Sequence, residues 1–139
     1  MSAFEFLLRS AAVLQIVLAV VNFGLIRLLG WKKDIEKLPL LAREVFQVHL
    51  WFIGITCGIF GVLTWRFAPE LAEGSSELGR WLADAIAIFW GVRAILQLTY
   101  YSSSHWRGHT LKTLAHVGFF IQYGGLALLY AQAGWRLLE

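Results

Sequence analysis

Four long apolar runs dominate the chain, at about Ser10 to Leu29, Val45 to Trp65, Trp81 to Tyr101 and Thr113 to Gly134. Each is close to the ~20 residues that a helix needs to cross ~30 Å of hydrocarbon. The second and fourth contain no Asp, Glu, Lys or Arg. A core helix of a soluble protein shows a polar face over such a length, and these do not. The pattern predicts an all-α, polytopic membrane protein, a four-transmembrane-helix antiparallel bundle forming one domain over residues 1–139. Arg9 precedes the first apolar run as in a secretory signal. No small-residue cleavage pattern follows, so the run is expected to stay as the first span.

The connections are short. Gly30 to Ala42 mixes charges with Pro39 and predicts an interfacial loop with a few amphipathic turns around Ile35 and Leu38. Ala68-Pro69-Glu70 through Gly74-Ser75-Ser76 to Gly79 carries turn residues throughout and no apolar pattern. Lys32, Lys33 and Lys37, flanked by Arg27 and Arg43, crowd the first connection, and Arg107 and Lys112 the third. The second sets Arg66 and Arg80 among Glu70, Glu73 and Glu77. Counting cations in this way puts the first and third connections in the cytoplasm and both termini outside.

Composition agrees with the membrane class. Of 139 residues, 58% are hydrophobic and 15% charged, with a mean hydropathy of +0.63, above the roughly half-apolar make-up of soluble domains. The net charge of +3 calls for no nucleic-acid partner, because its cations are those that an anionic leaflet attracts. Cys57 stands alone, so no intrachain disulfide forms.

Nearly all the strongly polar residues within or beside the spans, though not Asp84 near the opposite face, gather at one end, where spans one and three exit and spans two and four begin. Asn22, Arg27, Gln47, His49, Arg93, Gln97, Tyr100, Tyr101 and His116 all fall there. His49 and His116 each lie roughly 5 Å inside the start of their helices. Arg93, Gln97 and Tyr100 follow at spacings of four and three, one stripe on a helix. His109, His116 and Tyr123 recur every seven residues and form a second. Arg93 sits roughly 12 Å below the end of its span, at a depth where an unsatisfied guanidinium costs several kcal/mol. It either holds an anionic or carbonyl head group or bonds Gln47, Gln97 or backbone carbonyls.

Three functional readings of the two imidazoles stand beside a purely structural one. They ligate a haem between parallel helices; His105, His109 and His116 bind a metal, for which no carboxylate is present at depth; or His49 and His116 hydrogen-bond or exchange a proton with a ligand. The third needs no cofactor, and no metal site is predicted. Nucleotide-binding loops, nucleophile elbows, HExxH and CxxC motifs are absent, and no span contains a lysine. Gly54, Gly58 and Gly61 make a small-residue face in span two, suited to packing inside the bundle or to contact between copies. Gly118, Gly124 and Gly125 could oppose it. Trp31, Trp65, Trp81 and Trp106 mark membrane edges, with Trp51 and Trp90 deeper.

With these residues in view, the chain resembles the MAPEG family, small four-span membrane proteins of eicosanoid and glutathione metabolism. The likeness lies in length, basic character and topology. It also lies in Glu44-Val45-Phe46-Gln47-Val48-His49 at the start of span two and in Arg93 with Tyr100 in span three. Trp51 stands where that signature has Asn, the following Glu is missing, and Gln47 replaces an Arg. The resemblance implies a trimer with sites between subunits.

The residues themselves lead to a membrane protein that binds a lipid-soluble ligand, such as a quinone, isoprenoid or acyl lipid, in a polar pocket of the cytoplasmic half. Arg93 and Gln97 hold its head group, Tyr100, Asn22 and Gln47 orient it, and His49 and His116 donate hydrogen bonds or move a proton. Expected partners are membrane lipid and either further copies or a larger membrane complex. An accessory subunit without chemistry, and a stand-alone enzyme on a hydrophobic substrate, are the alternatives.

Overall fold

A computed structural model describes residues 1–100, 108 and 110–135. Among the described residues seven helices follow one another: α1 (Ala3–Phe23), α2 (Leu25–Leu28), α3 (Lys32–Glu36), α4 (Leu40–Arg66), α5 (Ala68–Glu73), α6 (Glu77–Thr99) and α7 (Thr110–Trp135). The protein is all-α, and four of these helices, α1, α4, α6 and α7, are long and apolar enough to cross a membrane. The backbone divides into two compact units, residues 6–68 and residues 1–5 with 69–139.

Boundaries differ from the apolar runs for local reasons. Helix α1 begins seven residues earlier than the run, because Ser2 caps it, its hydroxyl accepting from the Glu5 amide at 3.0 Å. It also ends sooner, at Phe23, where the Gly24 amide turns back to the Val21 carbonyl at 3.1 Å. The rest of the expected first span, including Arg27, is the separate helix α2. Pro39, extended at φ −51° and ψ 145°, starts α4. Ser76 starts α6, accepting from the Gly79 amide at 3.2 Å.

The second connection is not turns alone. Ala68, Leu71 and Ala72, at helical spacing, are buried on α5. Pro69 reads as a breaker in sequence, yet it occupies the first turn, where its missing N–H is not needed. Gly74 then ends the helix with φ +67°, its amide and that of Ser75 returning to the Glu70 carbonyl.

In the unit of residues 6–68, α1 and α4 pack antiparallel through very close backbones. A Cβ added at Gly61 would lie 2.7 Å from Ile16 Cγ1 and 2.8 Å from the Ala12 carbonyl, and one at Gly54 3.2 Å from the Ala19 carbonyl. The Asn22 amide donates to the Leu50 carbonyl at 3.2 Å, and the Arg9 guanidinium lies 5.1 Å above the Trp65 ring. As the α1 partner advances, its α4 partner recedes. In lipid no hydrophobic force joins two helices, so such close approach and its dispersion contacts are what hold the pair. Cys57, buried on the same face as Gly54 and Gly61, is a packing residue. Gln15 and Thr64 are fully buried in this unit, and Gln15 Nε2 donates to the Ala11 carbonyl at 3.3 Å.

In the other unit α6 and α7 pack antiparallel, with Gly91 facing Ala127 and the Asp84 carboxylate lying against Gly134. Gly118, Gly124 and Gly125 meet nothing within 4 Å. The α4 glycines face α1.

Replacement of Gly61 by Ala forces the α1 backbone aside and should destabilise the protein by about 1–3 kcal/mol. Gly58→Ala, whose Cβ would meet only Ala19 Cβ at 3.6 Å, should be neutral or better. Denaturation by SDS titration from a mild detergent distinguishes the two.

Candidate functional site

The α6 stripe and the α7 stripe meet. Trp90, Arg93 and Gln97, at spacings of three and four, face His116, Phe119 and Tyr123 at the same spacings, so each helix presents one face to the other. At the centre is Gln97, buried at 6% exposure. Its Oε1 accepts from Arg93 Nη1 at 3.1 Å, and its Nε2 lies 2.8 Å from His116 Nδ1. The amide thus spends both ends on its neighbours, linking a cation on α6 to an imidazole on α7.

Arg93 has a second hold. Its guanidinium carbon lies 4.7 Å above the Tyr123 ring, within cation–π range. Below Tyr123 the buried Trp90 ring stacks at 5.5 Å and 14°, and Phe119 stacks alongside at 6.0 Å and 10°. Magnitudes show what this achieves. A charge at the centre of a membrane helix costs about 2.5–3.5 kcal/mol on the insertion scale. A hydrogen bond to a charged group returns about 1.5–3 kcal/mol, and a desolvated cation–π contact about 2 kcal/mol. The two together are as large as the cost, so the helix pair tolerates Arg93 in place. Neither Gln97 nor Tyr123 carries a negative charge, and the site stays cationic with respect to both.

The other expected residues belong to α4, to α1 and to the end of α6. His49, exposed on α4, has its Nδ1 2.8 Å from the Val45 carbonyl. A carbonyl only accepts, so His49 Nδ1 carries a proton. Asn22 is engaged by Leu50, as described, and Gln47 is half-buried on α4. These three belong to the unit of residues 6–68, whereas Arg93, Gln97 and His116 belong to the other. Tyr100 caps the end of α6 and is 80% exposed. Tyr101, His105, Trp106, Arg107 and His109 fall outside the described residues. Among the described residues no three of His, Cys, Asp and Glu gather closely enough to hold a metal ion.

Sequence reasoning placed Trp90 in the membrane but not in the site, where it forms the floor beneath Tyr123. Its spacing of three from Arg93 was the available signal. Gln122, next to Tyr123, has a buried Nε2 without a hydrogen-bond partner.

No family model, curated protein or solved structure matches this chain. The likeness to the MAPEG family accordingly stands on the few residues quoted for it. What the chain does must be argued from the site.

Chemically the arrangement offers N–H donors in quantity: a guanidinium, a carboxamide and an imidazole, beside a flat aromatic stack. Gln97→Leu removes the shared amide and leaves groups on both helices without it. Its expected cost is about 1–3 kcal/mol, read as a lowered midpoint in SDS titration. Tyr123→Phe keeps the ring under Arg93 and should cost far less.

Proposed function

We propose that this chain is a small integral membrane protein that binds a lipid-soluble ligand through a polar head group, such as a quinone, isoprenoid or acyl lipid, at the end of α6 and the start of α7. The observation that carries the reading is the buried Gln97 amide, held by Arg93 on one side and His116 on the other. An apolar pair of helices would pack without any of these groups, and polar residues retained at membrane depth mark ligand or ion sites. Arg93 and Gln97 hold the head group, His116 donates a hydrogen bond or exchanges a proton, and Tyr100 contributes from the helix end. The cation-rich first and third connections favour the cytoplasmic side for this end, with both termini outside.

A second reading is a non-catalytic accessory subunit, in which the relay is a staple between helices. The observation in its favour is the open small-residue surface of Gly118, Gly124 and Gly125 on α7, of the kind that lets another helix approach. A partner recovered in stoichiometric amount after solubilisation in mild detergent supports it.

The ligand reading is tested by extracting lipid from the purified protein and from Arg93→Ala. The parent should carry a bound amphiphile and the variant on the order of tenfold less, measured by mass spectrometry. A parent that carries none, with a variant of equal stability, makes the relay structural.

A further inference from the structure

The polarity of the Gln97 amide determines where His116 keeps its proton. A guanidinium has N–H donors and no acceptor, so the Gln97 atom facing Arg93 Nη1 at 3.1 Å is necessarily the carbonyl oxygen. The amide nitrogen then faces His116 Nδ1 at 2.8 Å, and that nitrogen only donates. Nδ1 therefore accepts, which puts the imidazole proton on Nε2. Arg93 is itself held over Tyr123, on which Trp90 and Phe119 stack, so the chain of polarity is anchored at its origin.

We propose that Arg93 and Gln97 are positioning residues that lock His116 in the Nε2–H tautomer, so that the guanidinium and the imidazole meet a ligand with N–H donors alone. Such a site takes a head group with a hydrogen-bond acceptor, a ketone-type carbonyl or a carboxylate, and refuses a haem iron or other transition metal at His116. The statement of ligand class rests on the ligand-binding reading above; the lock itself does not.

The refusal of metal follows from the same geometry. Iron or zinc binds a ring nitrogen through its lone pair. Ligation through Nε2 moves the proton to Nδ1, where it would confront the Gln97 N–H. Rotating the amide to accept that proton would turn its N–H group toward Arg93, again donor against donor. Ligation through Nδ1 displaces Gln97 altogether. His49 has the opposite polarity, its Nδ1 proton committed to the Val45 carbonyl, so the two imidazoles are not a matched pair for bis-histidine haem.

The experiment uses the whole protein in detergent micelles with its histidines labelled with ¹⁵N. Long-range proton–nitrogen correlation near neutral pH reads the tautomer of each ring, and single replacements of the four histidines assign the signals. His116 should appear as Nε2–H. In Gln97→Glu, whose carboxylate accepts from both neighbours, Nδ1 should gain a proton. A role in packing alone would leave the tautomer unmoved. An Nδ1–H ring in the parent, or no change in Gln97→Glu, overturns the lock.

The ligand class is read by titrating the parent with a decyl-substituted benzoquinone, with decanoate and with haemin. Binding of the quinone or of decanoate, weakened on the order of tenfold in Gln97→Glu, supports the proposal and tells a neutral carbonyl from a carboxylate. A histidine-ligated haem absorbance that disappears in His116→Ala overturns it. If neither acceptor probe binds while the ring is Nε2–H, the ligand class falls together with the ligand-binding reading, and the lock survives.

Discussion

A carboxamide has one end that accepts and one that donates, and in hydrocarbon it has no water to blur the difference. Gln97 is such a group, buried between two membrane-length helices. Arg93 can only give, so it takes the oxygen; His116 receives the nitrogen. From that single constraint follow the contact between α6 and α7, the tolerance of a guanidinium well inside its span, and the sense in which the site presents hydrogen bonds. Remove the amide and the cation and the ring have no shared partner. Exchange it for a carboxylate and the direction of giving and taking reverses at the imidazole.

The two helix pairs solve the same problem by different means. Lipid is as apolar as leucine, so neither pair gains by hiding hydrocarbon side chains from it. In α1 and α4 the answer is proximity: Gly54 and Gly61 bring backbones so near that Ile16 and the Ala12 carbonyl occupy the space of a methyl group. In α6 and α7 the answer is specific chemistry, an aromatic stack of Trp90, Tyr123 and Phe119 crowned by Arg93 and tied off through Gln97. Close approach is indifferent to ligands. A network of donors is not, and only the second pair carries one.

Much of this was legible in the sequence, and the limits of legibility have physical causes. The four spans follow from uninterrupted apolar length. The stripe Arg93–Gln97 and the recurrence of His116 with Tyr123 follow from the helical repeat, since residues at those spacings share a face. Whether the two stripes meet depends on how each helix turns about its own axis, which packing decides, so Gln97 stood among several partners for Arg93. Trp90 looked like a deep apolar residue because ring stacking leaves no periodic trace. Helix α5 was hidden by Pro69, whose effect depends on whether it stands in the first turn or later. The glycines of α4 and α7 look alike as letters; only the neighbour that a methyl group would strike tells that the first set packs against α1.

The spacing of the polar rungs has a consequence for the surrounding bilayer. On α1 the distance from Arg9 to Asn22 is thirteen residues, and on α6 the distance from Asp84 to Gln97 is the same, or roughly 20 Å along each axis. These stretches, broken by Gln15 on α1 and by Arg93 on α6, are shorter than the ~30 Å of an ordinary hydrocarbon slab. Around each pair the lipids must therefore dimple inward, or the polar rungs must draw head groups and solvent down to their level. Either adjustment costs only fractions of a kcal/mol per Å.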